Sequence, residues 1–222
     1  MKPVSSTPST SPRREDRRRQ RTRSAIISAG HKLFAEHSME GVSIDDIIGA
    51  ADVAKGSFYN HFADKESLAN TIIELVQGDC ERHVFVVNQD IEDAPTRVAR
   101  AMAVMVRYAH DHPDRLKAML SLTARRTNVA VPLNAGVLHD LKAGLANGEF
   151  TGVTPEAGVI IVIGLISVAI DYLNATSRKI TPVEAAEEIG AALLRALGHD
   201  AQSAGKIAHK AAKLALAEEE KQ

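Results

Sequence analysis

The sequence predicts an all-α protein, and three observations carry that expectation. Apolar residues recur at helical spacing, helix starts carry capping chemistry, and no stretch alternates apolar and polar residues with period two for long. In Ala25–His37, the residues Ile26, Ala29, Gly30, Leu33 and Phe34 fall at i, i+3, i+4, i+7 and i+8, one face of an amphipathic helix. Ile44, Ile47, Ile48 and Ala51 repeat the pattern. So do Leu68, Ile72, Leu75 and Val76, and then Val98, Ala101, Met102, Met105, Val106 and Ala109. The best strand candidates are Phe85–Val87 and the β-branched run Val159–Ile163.

Helix starts can be placed from their chemistry. Ser43 followed three residues later by Asp46 has the form of a capping box, and Thr181-Pro182-Val183-Glu184 supplies a Thr cap, Pro at the first helical position and Glu at the third. Thr154-Pro155-Glu156 and Asp93-Ala94-Pro95 mark two further starts, Pro113 and Pro132 open others, and Gly148, Gly152 and Gly198 punctuate ends. About nine or ten helices follow from these signals.

With 45% hydrophobic and 25% charged residues, the 222-residue chain has the composition of an ordinary globular protein. The single cysteine, Cys80, excludes an internal disulfide and reads as a buried thiol in a reducing compartment. Pro3 to Pro12 is Ser/Thr/Pro without an apolar core, so a disordered tail is expected rather than a secretory signal. The longest apolar run, Ala157–Ile170, is shorter than the ~20 residues that span a bilayer. A cytoplasmic protein with no membrane partner is expected.

A net charge of −1 argues, taken alone, against nucleic acid as a partner. The average conceals a split. Residues 1–23 hold eight basic groups against two acidic ones, whereas Ser24–Val76 hold three lysines against eight acids.

Within that acidic segment lies Ser43–Phe62, SIDDIIGAADVAKGSFYNHF. A short helix ending near Ala51, about three intervening residues and a second helix beginning near Lys55 have the spacing of a helix-turn-helix, whose second helix enters the DNA major groove. From Ala54 to Ala63 there is no acid. Lys55, Ser57, Tyr59, Asn60 and His61 can all hydrogen-bond to phosphates or base edges, and Gly56 allows close backbone approach, while Phe58 and Phe62 would face the core.

Residues 22–76 resemble the DNA-binding domain of the TetR family of transcriptional repressors. The likeness rests on Leu33-Phe34-Ala35-Glu36, Gly41-Val42-Ser43-Ile44, Ile47 with Ala51, Lys55-Gly56-Ser57-Phe58-Tyr59-Asn60-His61-Phe62, and Lys65-Glu66-Ser67-Leu68. It implies that Ser43 caps its helix and reaches a phosphate, that Lys55 and Ser57 contact bases or backbone, and that Tyr59, His61 and Lys65 bind phosphates. Asn60 stands at the family's variable position. Two departures concern the turn: Asp52 replaces the usual Gly, and Ala54 replaces a Ser or Thr cap. Asp tolerates left-handed backbone, whereas Ala54 supplies no cap. The basic segment, with Arg17, Arg18, Arg19, Arg21 and Arg23, is expected to lie along the DNA backbone or in the minor groove as a flexible arm.

The resulting organisation is a disordered basic arm over 1–20, the helix-turn-helix domain over 21–76, a helical ligand-binding and dimerisation domain over 77–200, and a terminal helix or tail over 201–222. Ala157–Leu173 is apolar all round, which suits burial on two sides, against its own domain and against a second copy. Paired with the helix from Pro182, as the resemblance implies, it would make a homodimer interface through Val159, Val162, Ile163, Ile166, Ile189 and Leu193. The resemblance also implies a small-molecule effector among residues 95–176, for which Met102, Met105, Tyr108, Met119, Arg125, Leu138, Leu141 and Tyr172 are the candidate lining. His110-Asp111-His112 reads as a loop cap rather than a metal site, no cofactor motif is present, and no catalytic constellation points to an enzyme. The expected protein is therefore a ligand-responsive repressor bound as a homodimer to a pseudo-palindromic duplex, with a constitutive or architectural DNA-binding protein as the alternative.

Overall fold

The computed structural model describes residues 14–123, 132–175 and 180–217. Every regular element among them is helical: α1 Arg14–Glu36, a 3₁₀ turn Met39–Gly41, α2 Ile44–Ala51, α3 Lys55–Tyr59, α4 Lys65–Val87, α5 Ala94–Asp111, α6 Pro113–Thr123, α7 Pro132–Ala146, α8 Pro155–Ala175, α9 Pro182–Ala196 and α10 Ala201–Ala217. Both strand candidates are helix, Phe85–Val87 closing α4 and Val159–Ile163 lying inside α8. β-branched side chains carry only a small helical penalty, which packing overrides.

Capping chemistry closes the helices as expected. Ser43 and Asp46 form a reciprocal box, with Asp46 N–H donating to Ser43 Oγ at 3.1 Å and Ser43 N–H to Asp46 Oδ2 at 2.8 Å. Thr181 and Glu184 do the same for α9. Asp64 and Ser67 form a third box at the start of α4, from the D-x-x-S sequence Asp64-Lys65-Glu66-Ser67.

Two boundaries differ from expectation. The segment 14–20, expected within a disordered arm, is the opening of α1. Arg and Gln are good helix formers, and Asp16 sits in the first turn where the helix dipole favours acids. The expected division after residue 76 falls inside α4, which runs unbroken through Gly78. Residues 1–13 of the expected arm, Arg125, and 218–222 of the expected tail lie outside the described residues.

Three apolar clusters hold the molecule. The first joins Ile26, Phe34, Ile47, Phe58, Leu68 and Ile72 with Ala118 and Leu122 of α6. Gly30 permits this packing, since a Cβ there would come within 2.7 Å of Ile72 Cδ1. The second, between α4, α5, α6 and α8, contains Val76, Cys80, Met105, Tyr108, Leu116, Met119 and Ile170. Burial pushes the Cys80 thiol up to about 12, so the cysteine is inert core. The third fills the space among α5, α7, α8, α9 and α10 around Met102, Leu141, Phe150, Leu193 and Ala211. A largely buried pair, Arg97 Nε to Asp140 Oδ1 at 2.8 Å, ties α5 to α7, and Arg97 Nη1 also donates to the carbonyls of Asn88 and Ile91 at 3.1 Å.

Gly198, with φ of 102°, docks the α9–α10 corner on Thr151, where an added Cβ would lie 2.3 Å from Oγ1 and 2.5 Å from the carbonyl oxygen. Gly198→Ala combines left-handed strain with a backbone clash and should cost about 2–4 kcal/mol, read as a lower urea midpoint with an unchanged slope.

His31 is buried where α1 meets the start of α6. Burial, with Arg115 nearby, lowers its pKa from 6.5 to about 4. Above pH 6.5 the ring is neutral whether the chain is folded or not, and stability is unaffected. As pH falls from 6.5 towards 4 only the unfolded chain takes the proton, so stability should decline across that window by about 2–3 kcal/mol. Comparing urea midpoints of wild type and His31→Gln across the window should show the slope in the first and its loss in the second.

Candidate nucleic-acid interface

The geometry begins with the turn between α2 and α3. Asp52 adopts φ 51° and ψ 52°, the left-handed conformation that glycine ordinarily fills, and its N–H reaches the carbonyls of Gly49 and Ile48. Ala54 sits at the N-cap of α3 with no side-chain cap, as its methyl group dictates. α3 has only five residues and is anchored by Phe58, fully buried, with Phe62 beyond its end. Lys55, Gly56, Tyr59 and Asn60 are exposed, while Ser57 and His61 are half-buried. The Tyr59 ring stands edge-on to Phe58, with centroids 5.5 Å apart, and is 50% exposed. A Cβ at Gly56 would meet nothing within 4 Å, so the fold itself does not require glycine there and the bare backbone faces open space.

Two lysines already have partners. Lys55 Nζ lies 2.9 Å from Asp45 Oδ1, which raises its pKa and sets the ammonium at the start of α3. Lys65 Nζ donates to the carbonyls of Met39 and Val42, both at 2.5 Å, and so fastens the start of α4 to the segment before α2. Its expected phosphate contact would fall to a third N–H; the other two are structural. Ser43 is exposed, and its hydrogen bonds hold the Asp46 carboxyl below the usual range.

The arginines occupy two faces of α1. By helical spacing Arg17, Arg18 and Arg21 share one face. Arg19 and Arg23 continue the line of the buried stripe towards α3. Arg23 Cζ stands 5.3 Å from the centroid of the Phe62 ring, a cation–π contact. His61 titrates low because it is partly buried and because Arg19 and Arg23 lie near it. The helical arginines thus border the end of α3.

An exposed, acid-free second helix on a left-handed turn, braced by α2 and flanked by arginines, defines a helix-turn-helix DNA-binding domain. Residues 26–72 match the profile of bacterial regulatory proteins of the tetR family, and this domain belongs to that family. The repressor DhaR of Mycobacterium sp. (strain GP1) is 33% identical over 75 residues, 34% of this chain and 38% of that protein. The transposon Tn10 TetC protein of Escherichia coli is 43% identical over 47 residues, 21% of this chain and 24% of that protein. The matches therefore span less than half of these relatives. In fold the likeness extends over most of the chain. A crystal structure of a gamma-butyrolactone receptor (ArpA-like protein) superposes with a TM-score of 0.66 at 19% identity, over 88% of this chain and 98% of that one. RolR, crystallised with resorcinol, does so with a TM-score of 0.55 at 22% identity, over 86% and 95%.

The expected effector and dimer residues are distributed differently from expectation. Met102 and Leu141 belong to one apolar cluster, whereas Met105, Tyr108 and Met119 belong to another, and all five are buried. Leu138 is half-buried and Tyr172 is exposed on the surface of α8. Val159, Val162 and Leu193 are buried in the chain's own core, while Ile163, Ile166 and Ile189 are half-buried. The exposed apolar stripe of α8 is instead Ile160, Gly164, Val168 and Tyr172, with Ile160 and Val168 67% and 68% exposed. A helix apolar all round does not reveal from sequence which side its own core claims. At the α5–α6 corner His112 packs on the Tyr108 ring at 4.9 Å and Asp111 is bound by Arg107. No described helix is long and apolar enough to cross a membrane.

Because Lys65 holds two loop carbonyls, Lys65→Met should lower stability by about 1–3 kcal/mol, even with no DNA present. Thermal melting of the free protein checks this, and an unchanged midpoint would leave Lys65 only an external role.

Proposed function

We propose that this chain is a transcriptional regulator that represses by binding a pseudo-palindromic duplex as a homodimer and is released by a small-molecule effector. The observation that carries the reading is the exposed face of α3, where Lys55, Gly56, Tyr59 and Asn60 project without an acid among them beside Arg19 and Arg23. In this reading Lys55, Ser57 and Asn60 meet base edges or backbone in the major groove. Tyr59, His61, Ser43 and the third N–H of Lys65 meet phosphates, and Arg17, Arg18 and Arg21 extend the contact along the backbone. The domain's own acidity makes these arginines the main source of long-range attraction.

A homodimer is supported by the stripe Ile160, Gly164, Val168 and Tyr172, four residues apart along α8, which presents contiguous apolar surface to solvent in one copy. A small-molecule effector held among α5–α8 is supported by the shared fold of RolR, which was crystallised with resorcinol. The effector would act by binding more tightly to a conformation in which the two α3 helices no longer match their half-sites.

Selection from a random duplex pool should return a sequence with two-fold symmetry; a pool without half-sites overturns the homodimeric reading. On the selected duplex, Tyr59→Ala should weaken binding about tenfold with folding intact. Replacing Arg17, Arg18 and Arg21 with Ala should flatten the salt dependence by about 0.9 per lost phosphate contact. An unchanged slope removes these arginines from the interface.

A further inference from the structure

A cleft of about 540 Å³ opens where α1 passes the corner between α5 and α6. Arg23, His31 and Lys32 of α1 line it together with Leu75 of α4 and Arg115 of α6, so it bridges the DNA-binding unit and the helices that follow it. His31 is only 9% exposed, and its Nδ1 is sealed without a hydrogen-bond partner. A bare lone pair sealed in this way costs less than an N–H without an acceptor. The neutral ring therefore carries its proton on Nε2, and His31 is among the residues that line the cleft.

We infer that this cleft is a binding site for a small oxyanion, a carboxylate or phosphate on a compact body that rests against Leu75. Its charged and hydrogen-bonding lining is rich in donors, with Arg115, Lys32, His31, Ser24 and Ser28 all present, while Arg23 also borders it with its guanidinium over the Phe62 ring. Two carboxylates share the lining. Asp111 is taken by Arg107, with Nε 2.5 Å from Oδ2, and Asp114 opposes the anion from the first turn of α6. Asp79 of α4 holds Arg82 at 2.7 Å and reaches Arg115 only at 3.4 Å, so Arg115 keeps donors for a ligand. The charges acting on His31 are Arg115 and Asp114 from α6 and Asp79 from α4, while Arg23 and Lys32 on its own helix and Asp111 and His112 at the corner share the lining of the cleft. An anion among them favours the imidazolium, so binding draws a proton onto His31.

The test uses the full chain with ¹⁵N-labelled histidine and no DNA, so its outcome is separate from that of the function proposed above. Benzoate and inorganic phosphate are titrated in parallel, and the His31 ring signals are identified by their loss in His31→Gln. Saturable shifts with at least one probe are expected, together with a rise in the His31 titration midpoint. Arg115→Gln and Lys32→Ala should each weaken binding about tenfold with unchanged circular dichroism, and Asp114→Asn should strengthen it. Saturation by benzoate alone assigns an organic carboxylate, and saturation by phosphate alone assigns a phosphate. No saturable shift with either probe, or undiminished affinity in both weakening variants, overturns the site.

Discussion

The packing of α6 into the N-terminal core is the constraint on which the rest of the molecule depends. Ala118 is fully buried and Leu122 nearly so among Ile26, Phe34, Ile47 and Ile72, so the helix-turn-helix unit does not close its own core. α4 adds a second rigid connection, because it starts in that core and ends among residues that face α5. The orientation of α3 is therefore set by elements rooted in the C-terminal helices. Close-packed interiors do not deform smoothly. A displacement of α6 must be met by α1 along their shared face, and α1 carries both the buried stripe that positions Phe58 and the arginines that border α3.

Charge sets the second constraint. Ser24–Val76 carries more acids than bases, and long-range attraction to a polyanion has to come from outside it. A flexible arm would supply that attraction at the cost of ordering each residue on binding. Helical arginines from Arg17 onward are already ordered and hold fixed faces. Arg23 is fixed further by Phe62, whose ring it overlies, so the end of α3 and the arginine ridge form one surface.

Much of this was legible in the sequence because it depends on local chemistry. The capping box at Ser43, the left-handed Asp52, the uncapped Ala54 and the inward Phe58 and Phe62 each follow from residue type and near neighbours. What escaped depends on distant partners. Nothing near Lys65 announces that its ammonium binds the carbonyl of Met39, 26 residues away. Apolar spacing identifies α8 as a helix, but whether Val159 or Ile160 faces inward is decided by α5, α7 and α9. Arg14–Arg23 lacks the apolar stripe that marks an amphipathic helix, although Arg and Gln favour helix.

A five-residue helix without a cap cannot persist alone, since nucleation fixes several residues for very few hydrogen bonds. α3 exists because Phe58 and Phe62 anchor it in the core, with a weaker contact at its start. At its start Lys55 pairs with Asp45 of α2, and past its end Phe62 is buried beneath Arg23. In between, Phe58 fills the core, Ser57 is half-buried, and Lys55 and Tyr59 project to the surface. The Lys55–Asp45 pair is exposed, and exposed pairs contribute little to stability. Exchanging Asp45 for a phosphate oxygen would therefore cost the fold little, whereas the same exchange at Lys65 would compete with two loop carbonyls. The two lysines look alike in sequence, and the structure assigns the first to the surface and the second to the frame that supports it.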